Sequence, residues 1–576
     1  GDGIQLTGSQ FTDSTAFSGH DLGTYPDFPA EIRAPAGTVP GVSGFQINFG
    51  SNAIYTPGDH CDVLVVMNAA ALKSNIQYLK DEGIIIANED GFDGKNLQQA
   101  GYGKEDTPLA DAEQKYQLYR VPVTKLTREA LKDTSLKTKE RDRSKNMFVL
   151  GLVYWLFNRD LQPSIDFIES KFANKPELKD ANLNALKAGY NYGETAEIFT
   201  TRYNVKPADL EKGTYRSVTG NLATALGLIS ASVKADVPLF YGSYPITPAS
   251  DILHELSRHR NYNVRTFQAE DEIAAISAVI GAAYGGSLAI TGTSGPGFSL
   301  KSEALGLAVN LELPLVVCNV QRAGPSTGMP TKMEQADLMQ ALYGRHGEAP
   351  LPVVAATRPA DSFDMAFEAC RLAIEFMTPV VFMSDGYLAN GSEPWRFPSA
   401  KDLPVIKKPM ATEADKQGDN YEPYVRDDKL VRKWALPGMK GFQNRIGGLE
   451  KEDVTGNVSY DPENHQKMVD IREQKIQHIA DYIPAQEIDN GPLSGDVLLL
   501  GWGSTYGVLK SATEQLHEEG INVAHAQVKY LNPLPRNLEN IVKSYRHVIV
   551  PENNNGQFVQ IIRNKYLVPA IPFNKV

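Results

Sequence analysis

Cysteine is scarce in this chain of 576 residues. There are three, Cys61, Cys318 and Cys370, far apart and without a C-x-x-C spacing. The common iron–sulfur clusters need four thiolates, so any such cluster must belong to a partner. The same scarcity excludes a disulfide framework and fits a reducing cytoplasm. Basic charge is also short. The formal net charge of −12 argues against nucleic acid as the main partner, because phosphate-binding surfaces are basic. Long apolar runs are missing as well. The longest, NMFVLGLVYWLF, is broken by Gly151 and is too short to cross a bilayer. The chain begins at Gly1 rather than at a methionine, so a preceding N-terminal piece is expected.

What is present reads as a soluble, multi-domain α/β protein. The length suits three or four domains, and 42% hydrophobic with 22% charged residues is ordinary globular composition. Residues 1–190 form a first α/β domain, with strand-length apolar runs DVLVVMN and GIIIAN separated by a helix-like stretch containing Asn75, Tyr78 and Leu79. The opening GDGIQLTGSQF reads as a structural Gly-rich turn into a helix, with an anion or coenzyme A phosphate contact as the minority reading. Residues 191–213 are polar and irregular, a linker. From 214 to 395 the runs VPLFYG, SLAITGT, LPLVVCNV and TPVVFMSD alternate with helical patterns, the signature of a parallel sheet covered on both faces. Residues 396–490 are charged and punctuated by Pro and Gly, an extended connection. Within it an amphipathic helix starts at YDPENH, with Met468, Ile471 and Ile479 near one face. A last α/β unit, 491–576, carries the strands VLLLGWG, INVAHAQV and HVIVPE.

Ligands of parallel sheets bind beyond the carboxyl ends of the strands. Here YPITP follows the first strand of the 214–395 domain, TSGPG the second and QRAGPSTG the third. After AEDE comes a helix apolar on nearly every side, from Ile273 to Ile280, and such a helix is expected to be buried all round. Glu272 at its start then needs a partner or a proton, since an unpaired buried carboxylate costs several kcal/mol.

These stretches, YPITPAS, the AEDE helix, TSGPGFSL and QRAGPSTGMPTKMEQADL, resemble in sequence and order the alpha subunit of 2-oxoacid:ferredoxin oxidoreductases, in the form with a gamma-type domain fused in front. The resemblance covers nearly the whole chain. It implies a gamma-type domain over 1–190, a thiamine diphosphate pyrimidine-binding domain over 214–395 and a transketolase C-terminal-like domain over 491–576. It also implies thiamine diphosphate shared between two subunits, with Glu272 hydrogen-bonding the pyrimidine nitrogen. A beta partner would bring Mg2+, the diphosphate half of the site and a four-iron four-sulfur cluster, and the whole would be a dimer of alpha–beta heterodimers.

The residue chemistry agrees. A carboxylic acid that shares a proton with the aminopyrimidine must sit in a dry pocket, the role the resemblance gives Glu272. Glu270 and Asp271 suit the helix dipole instead. The two prolines of YPITP stiffen Tyr244, Pro245, Ile246 and Thr247, so the resemblance's placing of the Thr247 hydroxyl near substrate and cofactor is one that rigidity would serve. Ser250 is expected to cap the helix that begins near Asp251. Thr293 and Ser294 are expected to contact cofactor across a Gly-Pro-Gly turn. A 2-oxoacid carboxylate needs a cation: Lys332, where some relatives carry arginine, and Arg322. Arg345, His346 and Glu348 read as structural, as does His465.

The function so implied is oxidative decarboxylation of a 2-oxoacid, with two electrons passed singly through the partner's cluster to ferredoxin and the acyl group to coenzyme A. The reverse direction would fix CO2. The fused arrangement points to 2-oxoglutarate, and the few cysteines to a cytoplasmic enzyme. Pyruvate or a branched 2-oxoacid stays open as substrate. The rival classes are a transketolase- or E1-like thiamine enzyme and a non-catalytic scaffold or coenzyme A-binding subunit. Neither nucleic acid nor membrane is expected as a partner.

Overall fold

A computed structural model describes residues 3–29, 34, 35, 37–196, 199, 202–418 and 420–576. The chain divides into two compact units, Gly1–Ser217 with Ser392–Phe397, and Val218–Gly391 with Pro398–Val576. Gly1 and Asp2 of the GDG turn, and residues 197, 198, 200 and 201 of the linker, lie outside the described residues.

In the first unit a helix, Ile4–Phe17, follows Gly3 directly. Three parallel strands, Cys61–Val66, Leu79–Asn88 and Gln117–Val121, lie side by side, and Asp21–Asp27 pairs antiparallel with Gly44–Gly50. The expected helix near Asn75 ends there, because Leu79 already belongs to the second strand. The apolar run around Gly151 is a single helix, Lys145–Leu156, packed on Pro176–Thr195. Gly151 does not break it. A Cβ there would overlap the Leu186 carbonyl, and one at Gly189 would overlap that of Phe148. The two glycines let the helix backbones meet at a distance any side chain would prevent. The second helix also extends to Thr195, into the segment read as linker.

The second unit holds a seven-stranded sheet in the order Tyr530–Asn532, Val353–Ala355, Pro379–Asp385, Leu315–Gln321, Leu288–Thr293, Leu239–Ser243, Val264–Gln268. All neighbours are parallel except the first pair. The four strands read from the sequence are its centre; three are buried throughout and Leu239–Ser243 in all but Phe240, segments of the kind helices cover on both faces. A second sheet, Val523–Val528, Gly495–Trp502, Tyr545–Glu552, Ile571–Asn574, is all parallel. One core runs through both sheets, from Ile276 and Leu315 to Trp502 and Phe558, and Tyr530–Asn532 crosses from the C-terminal segment into the larger sheet.

The 396–490 connection also contributes to the core. Ile406, Val431, Trp434, Ile476 and Ile479 pack into the apolar layer beside the large sheet. Its helix, Pro462–His478, buries Met468, Arg472, Lys475 and Ile476. The two buried cations are satisfied. Arg472 pairs with Glu450 at 2.9 Å and Lys475 with Glu312 at 2.6 Å, and Arg426 closes on Glu312 from the other side at 2.5 Å. Burial would raise the Glu312 carboxyl, but Arg426 and Lys475 prevail and hold it at about 2. Among the described residues no helix is long and apolar enough to cross a membrane.

Candidate active site

Four loops gather at the carboxyl ends of adjacent strands of the large sheet. They follow Leu239–Ser243, Leu288–Thr293, Leu315–Gln321 and Pro379–Asp385. The fourth was not singled out from the sequence. Its Asp385 caps the helix Gly386–Asn390 by accepting from the Tyr387 and Leu388 amides.

Glu272 opens the helix Glu272–Tyr284, which is capped by Asp271 accepting from the Ala274 amide at 2.8 Å. The cap is therefore Asp271, and Glu272 is left for another purpose. Around Glu272 stand Tyr244 and Thr293, whose hydroxyls meet at 2.9 Å. Burial pushes the Tyr244 phenol well above its ordinary value; Thr293 opposes the shift and neighbouring Glu272 adds to it. Gly297 shows how tightly these groups converge. A Cβ there would overlap Tyr244 Oη and Thr293 Oγ1 and come within 2.7 Å of Glu272 Cγ. Next to this cluster the Ser294 hydroxyl is fully buried without a hydrogen-bond partner, where the short helix Gly295–Leu300 begins.

Arg322 reaches in from the third loop. Its Nη1 donates to the Thr247 carbonyl at 2.8 Å, while its Nε is buried without a partner. Burial lowers this guanidinium; Tyr244, Asp337 and Glu272 pull it back up. Thr247 and Pro245 are exposed and Ile246 is half-buried. Lys332 is half-buried, and its backbone closes the GPSTGMPT turn through Ala323 N to Lys332 O at 2.9 Å. The structure thus brings Tyr244, Thr247, Glu272, Thr293, Ser294 and Arg322 into one neighbourhood.

Two expectations change. The Glu272 helix is not buried all round: Ala275, Ile276, Val279 and Ala283 face inward, but Ile273 is 53% exposed and Ser277 and Gly281 are open. Leu300, Met329 and Met333 are exposed as well. A helix written in apolar residues on both faces has a second face to cover, and within this chain it is uncovered. Ser250 is not the cap either. It is the first helical residue, and its hydroxyl accepts from the Ile246 amide at 2.8 Å and donates to the Ile246 carbonyl at 3.0 Å. It braces the YPITP loop. The peripheral polar residues stay out of the site. Arg345 bonds three backbone carbonyls, His346 and Glu348 are exposed, and His465 pairs with Glu450 at 2.8 Å.

Two further participants, Lys301 and Asp337, lie outside the sequence expectations. Lys301 is fully buried, with Nζ 2.9 Å from the Glu272 carbonyl and 4.8 Å from the Tyr244 ring centroid. Asp337 is held by Asn319 at 2.9 Å, and its carboxyl would stand 2.9 Å from a Cβ on Gly295. Burial pushes it up to about 6, against the pull of Asn319. A lysine closing TSGPGFSL, an otherwise apolar and small-residue stretch, was the available clue.

An orphaned buried hydroxyl, a half-buried acid beside a pair of bonded hydroxyls and a buried Arg Nε without a partner form an arrangement that fits an aminopyrimidine ring and an anionic substrate.

Comparison with known proteins agrees with this geometry. Residues 231–460 match the family described as pyruvate flavodoxin/ferredoxin oxidoreductase, thiamine diphosphate-binding. Residues 1–192 match pyruvate ferredoxin/flavodoxin oxidoreductase, and 495–568 match core domain II of pyruvate:ferredoxin oxidoreductase. The 2-oxoglutarate oxidoreductase subunit KorA of Mycobacterium tuberculosis is 52% identical over 578 residues, covering 100% of this chain and 87% of that protein. The 2-oxoglutarate synthase subunit KorA of Archaeoglobus fulgidus is 34% identical, over 60% of this chain and 89% of its own length. A solved 2-oxoglutarate:ferredoxin oxidoreductase from Magnetococcus marinus, with 2-oxoglutarate, coenzyme A and succinyl-CoA bound, superposes with a TM-score of 0.84 at 30% identity, covering 100% of this chain and 94% of the other. With its thiamine-domain signature, its full-length likeness to KorA and its cluster around Glu272, the chain belongs to the 2-oxoacid:ferredoxin oxidoreductase family, as an alpha subunit.

Proposed function

We propose that this chain is the alpha subunit of a thiamine-dependent 2-oxoglutarate:ferredoxin oxidoreductase. Its reaction is the reversible, coenzyme A-dependent conversion of 2-oxoglutarate to succinyl-CoA and CO2, with two electrons delivered to ferredoxin. The observation that carries the reading is the position of Glu272 against Tyr244 and Thr293. Thiamine diphosphate, when bound, supplies the nucleophilic carbon that makes decarboxylation of a 2-oxoacid possible.

This chain's own residues divide the remaining work. Glu272 holds the proton shared with the pyrimidine ring. Ser294 offers an unsatisfied hydroxyl to the cofactor, and Tyr244, Pro245, Ile246 and Thr293 frame the ring. Thr247 presents a hydroxyl to the keto oxygen. Arg322, with one nitrogen fixed on the Thr247 carbonyl and Nε unpartnered, binds carboxylate together with Lys332. The exposed apolar edge of the Glu272 helix, at Ile273, receives a beta partner, which brings Mg2+ with the diphosphate half of the site and the iron–sulfur cluster. This chain's three cysteines are too few to hold such a cluster. Burying that edge would also dry the acid, the condition under which it shares a proton.

The test is dye reduction by the purified complex, with 2-oxoglutarate, pyruvate and a branched 2-oxoacid, with and without coenzyme A. The reading expects 2-oxoglutarate to give the highest kcat/KM, and coenzyme A to be required. A preference for pyruvate would overturn the substrate. A complex with no iron–sulfur absorption would overturn the reaction class.

A further inference from the structure

We propose that Lys301 is a positioning residue for the proton-sharing acid: its ammonium clamps the first turn of the Glu272 helix to the face of Tyr244 and so fixes where the Glu272 carboxyl points. The proposal rests on the reading of Glu272 given above.

Lys301 sits at the joint between two helices, Gly295–Leu300 and Ser302–Leu311, at the end of the TSGPG loop. Its side chain is fully buried, although lysine is almost never found so. Nothing about packing demands a charge there, since an apolar residue of the same length would fill the space without the desolvation cost of an ammonium. The Nζ does not point to solvent. It donates to the Glu272 carbonyl at 2.9 Å and lies over the Tyr244 ring, 4.8 Å from its centroid. A charge-assisted bond of this kind is about twice as strong as a neutral one, and a desolvated cation–π contact adds about 2 kcal/mol. Tyr244 is itself fixed through Thr293 at 2.9 Å. Lys301 therefore connects two of the loops at the strand ends with the Glu272 helix: YPITP through Tyr244, TSGPG through its own backbone, and the helix through its first carbonyl.

The clamp depends on the proton. Burial lowers the Lys301 amine to about 8, with Glu272 and then Asp271 pulling it back. The charged or titratable groups that face it are Glu272 and Asp271 on the Glu272 helix and Tyr244 from the first loop. Arg322, from the third loop, approaches Tyr244 and Glu272. The amine is charged at pH 7 and loses its proton as the pH rises through about 8. It then donates a weaker, neutral hydrogen bond and no longer acts on the ring as a cation. A displacement of the acid of about 1 Å is enough to cost ~100-fold in rate.

The experiment compares wild type, Lys301→Met, Lys301→Arg and Glu272→Gln in complex with the partner. Amide hydrogen exchange of the 272–276 segment is read without thiamine diphosphate, and kcat is read against pH with it. In Lys301→Met we expect exchange of that segment to rise about tenfold and kcat at pH 7 to fall roughly 10- to 100-fold. Its alkaline limb should disappear. Lys301→Arg should restore protection and most of the rate, and should push the limb above the value of about 8 expected for wild type. Wild-type protection and an unmoved alkaline limb in both variants would overturn the clamp. If Lys301→Met does not fold, the Lys301→Arg profile still decides. Should Glu272→Gln alone be fully active, the functional reading fails rather than the clamp.

Discussion

Gly297→Ala is the smallest perturbation that reaches the acid. The added methyl would stand 2.7 Å from Glu272 Cγ, about 0.7 Å short of the 3.4 Å at which ordinary contact begins. It would overlap Tyr244 Oη and Thr293 Oγ1 more severely still. Something must move, and the surroundings decide what. Thr293 is fully buried at a strand end, and Tyr244 is packed beneath Lys301. Glu272, half-buried at the start of a helix, has the most room to swing, and the Tyr244 and Thr293 hydroxyls against it must shift as well. For stability the effects largely offset. Overpacking costs about 1–3 kcal/mol, and alanine gains back about 1 kcal/mol over glycine inside a helix, leaving a net loss of roughly 0–2 kcal/mol. Activity has no such compensation. A misplacement approaching 1 Å is worth about 100-fold in kcat. The variant should therefore keep its cooperative melting and its assembly with the partner, while dye reduction falls by about two orders of magnitude. Turnover within about twofold of wild type would mean that the methyl displaces nothing that matters, and the convergence at Gly297 would have no part in catalysis.

Lys332→Ala should mainly raise the KM for the 2-oxoacid while leaving thiamine diphosphate affinity unchanged; a change confined to cofactor binding would refute the carboxylate assignment. Glu312→Gln leaves Lys475 buried without its anion and Arg426 with Asp453 alone, and the loss should be about 3–5 kcal/mol by denaturant unfolding. The native carboxyl titrates at about 2, below its ordinary 4.5, so its contribution is complete above that ordinary value and lost as the pH falls toward 2. In Glu312→Gln that part of the acid dependence should be absent, and an unchanged acid limb would count against the buried cluster as its source.

Much of this was legible in the sequence because the signals are local. Four buried strands announce themselves as apolar runs, and each ends in a loop of Pro, Gly, Ser or Thr whose chemistry is visible one residue at a time. Where the reading failed, the missing information was non-local. The Glu272 helix looked buried on every side because a face meant for a partner and a face meant for the core use the same residues; only the fold shows Ile273 to be on the open one. Lys301, Arg472 and Lys475 give no local signal of their burial, since a lone cation in a helical pattern carries no mark of the carbonyl or carboxylate that awaits it. Val353–Ala355 is too short to show a period. Tyr530–Asn532 joins a sheet whose nearest strand in the chain is more than a hundred residues away, and no pattern within three residues can say so.

The central claim is that Glu272 shares its proton with a thiamine ring at the join between this chain and its partner. Glu272→Gln preserves shape and removes the acid. Measured in the reconstituted complex with saturating cofactor, 2-oxoglutarate and coenzyme A, its rate of acceptor reduction should fall at least about 100-fold, while assembly and the iron–sulfur spectrum stay as in wild type. A rate equal to that of the wild type would contradict the account.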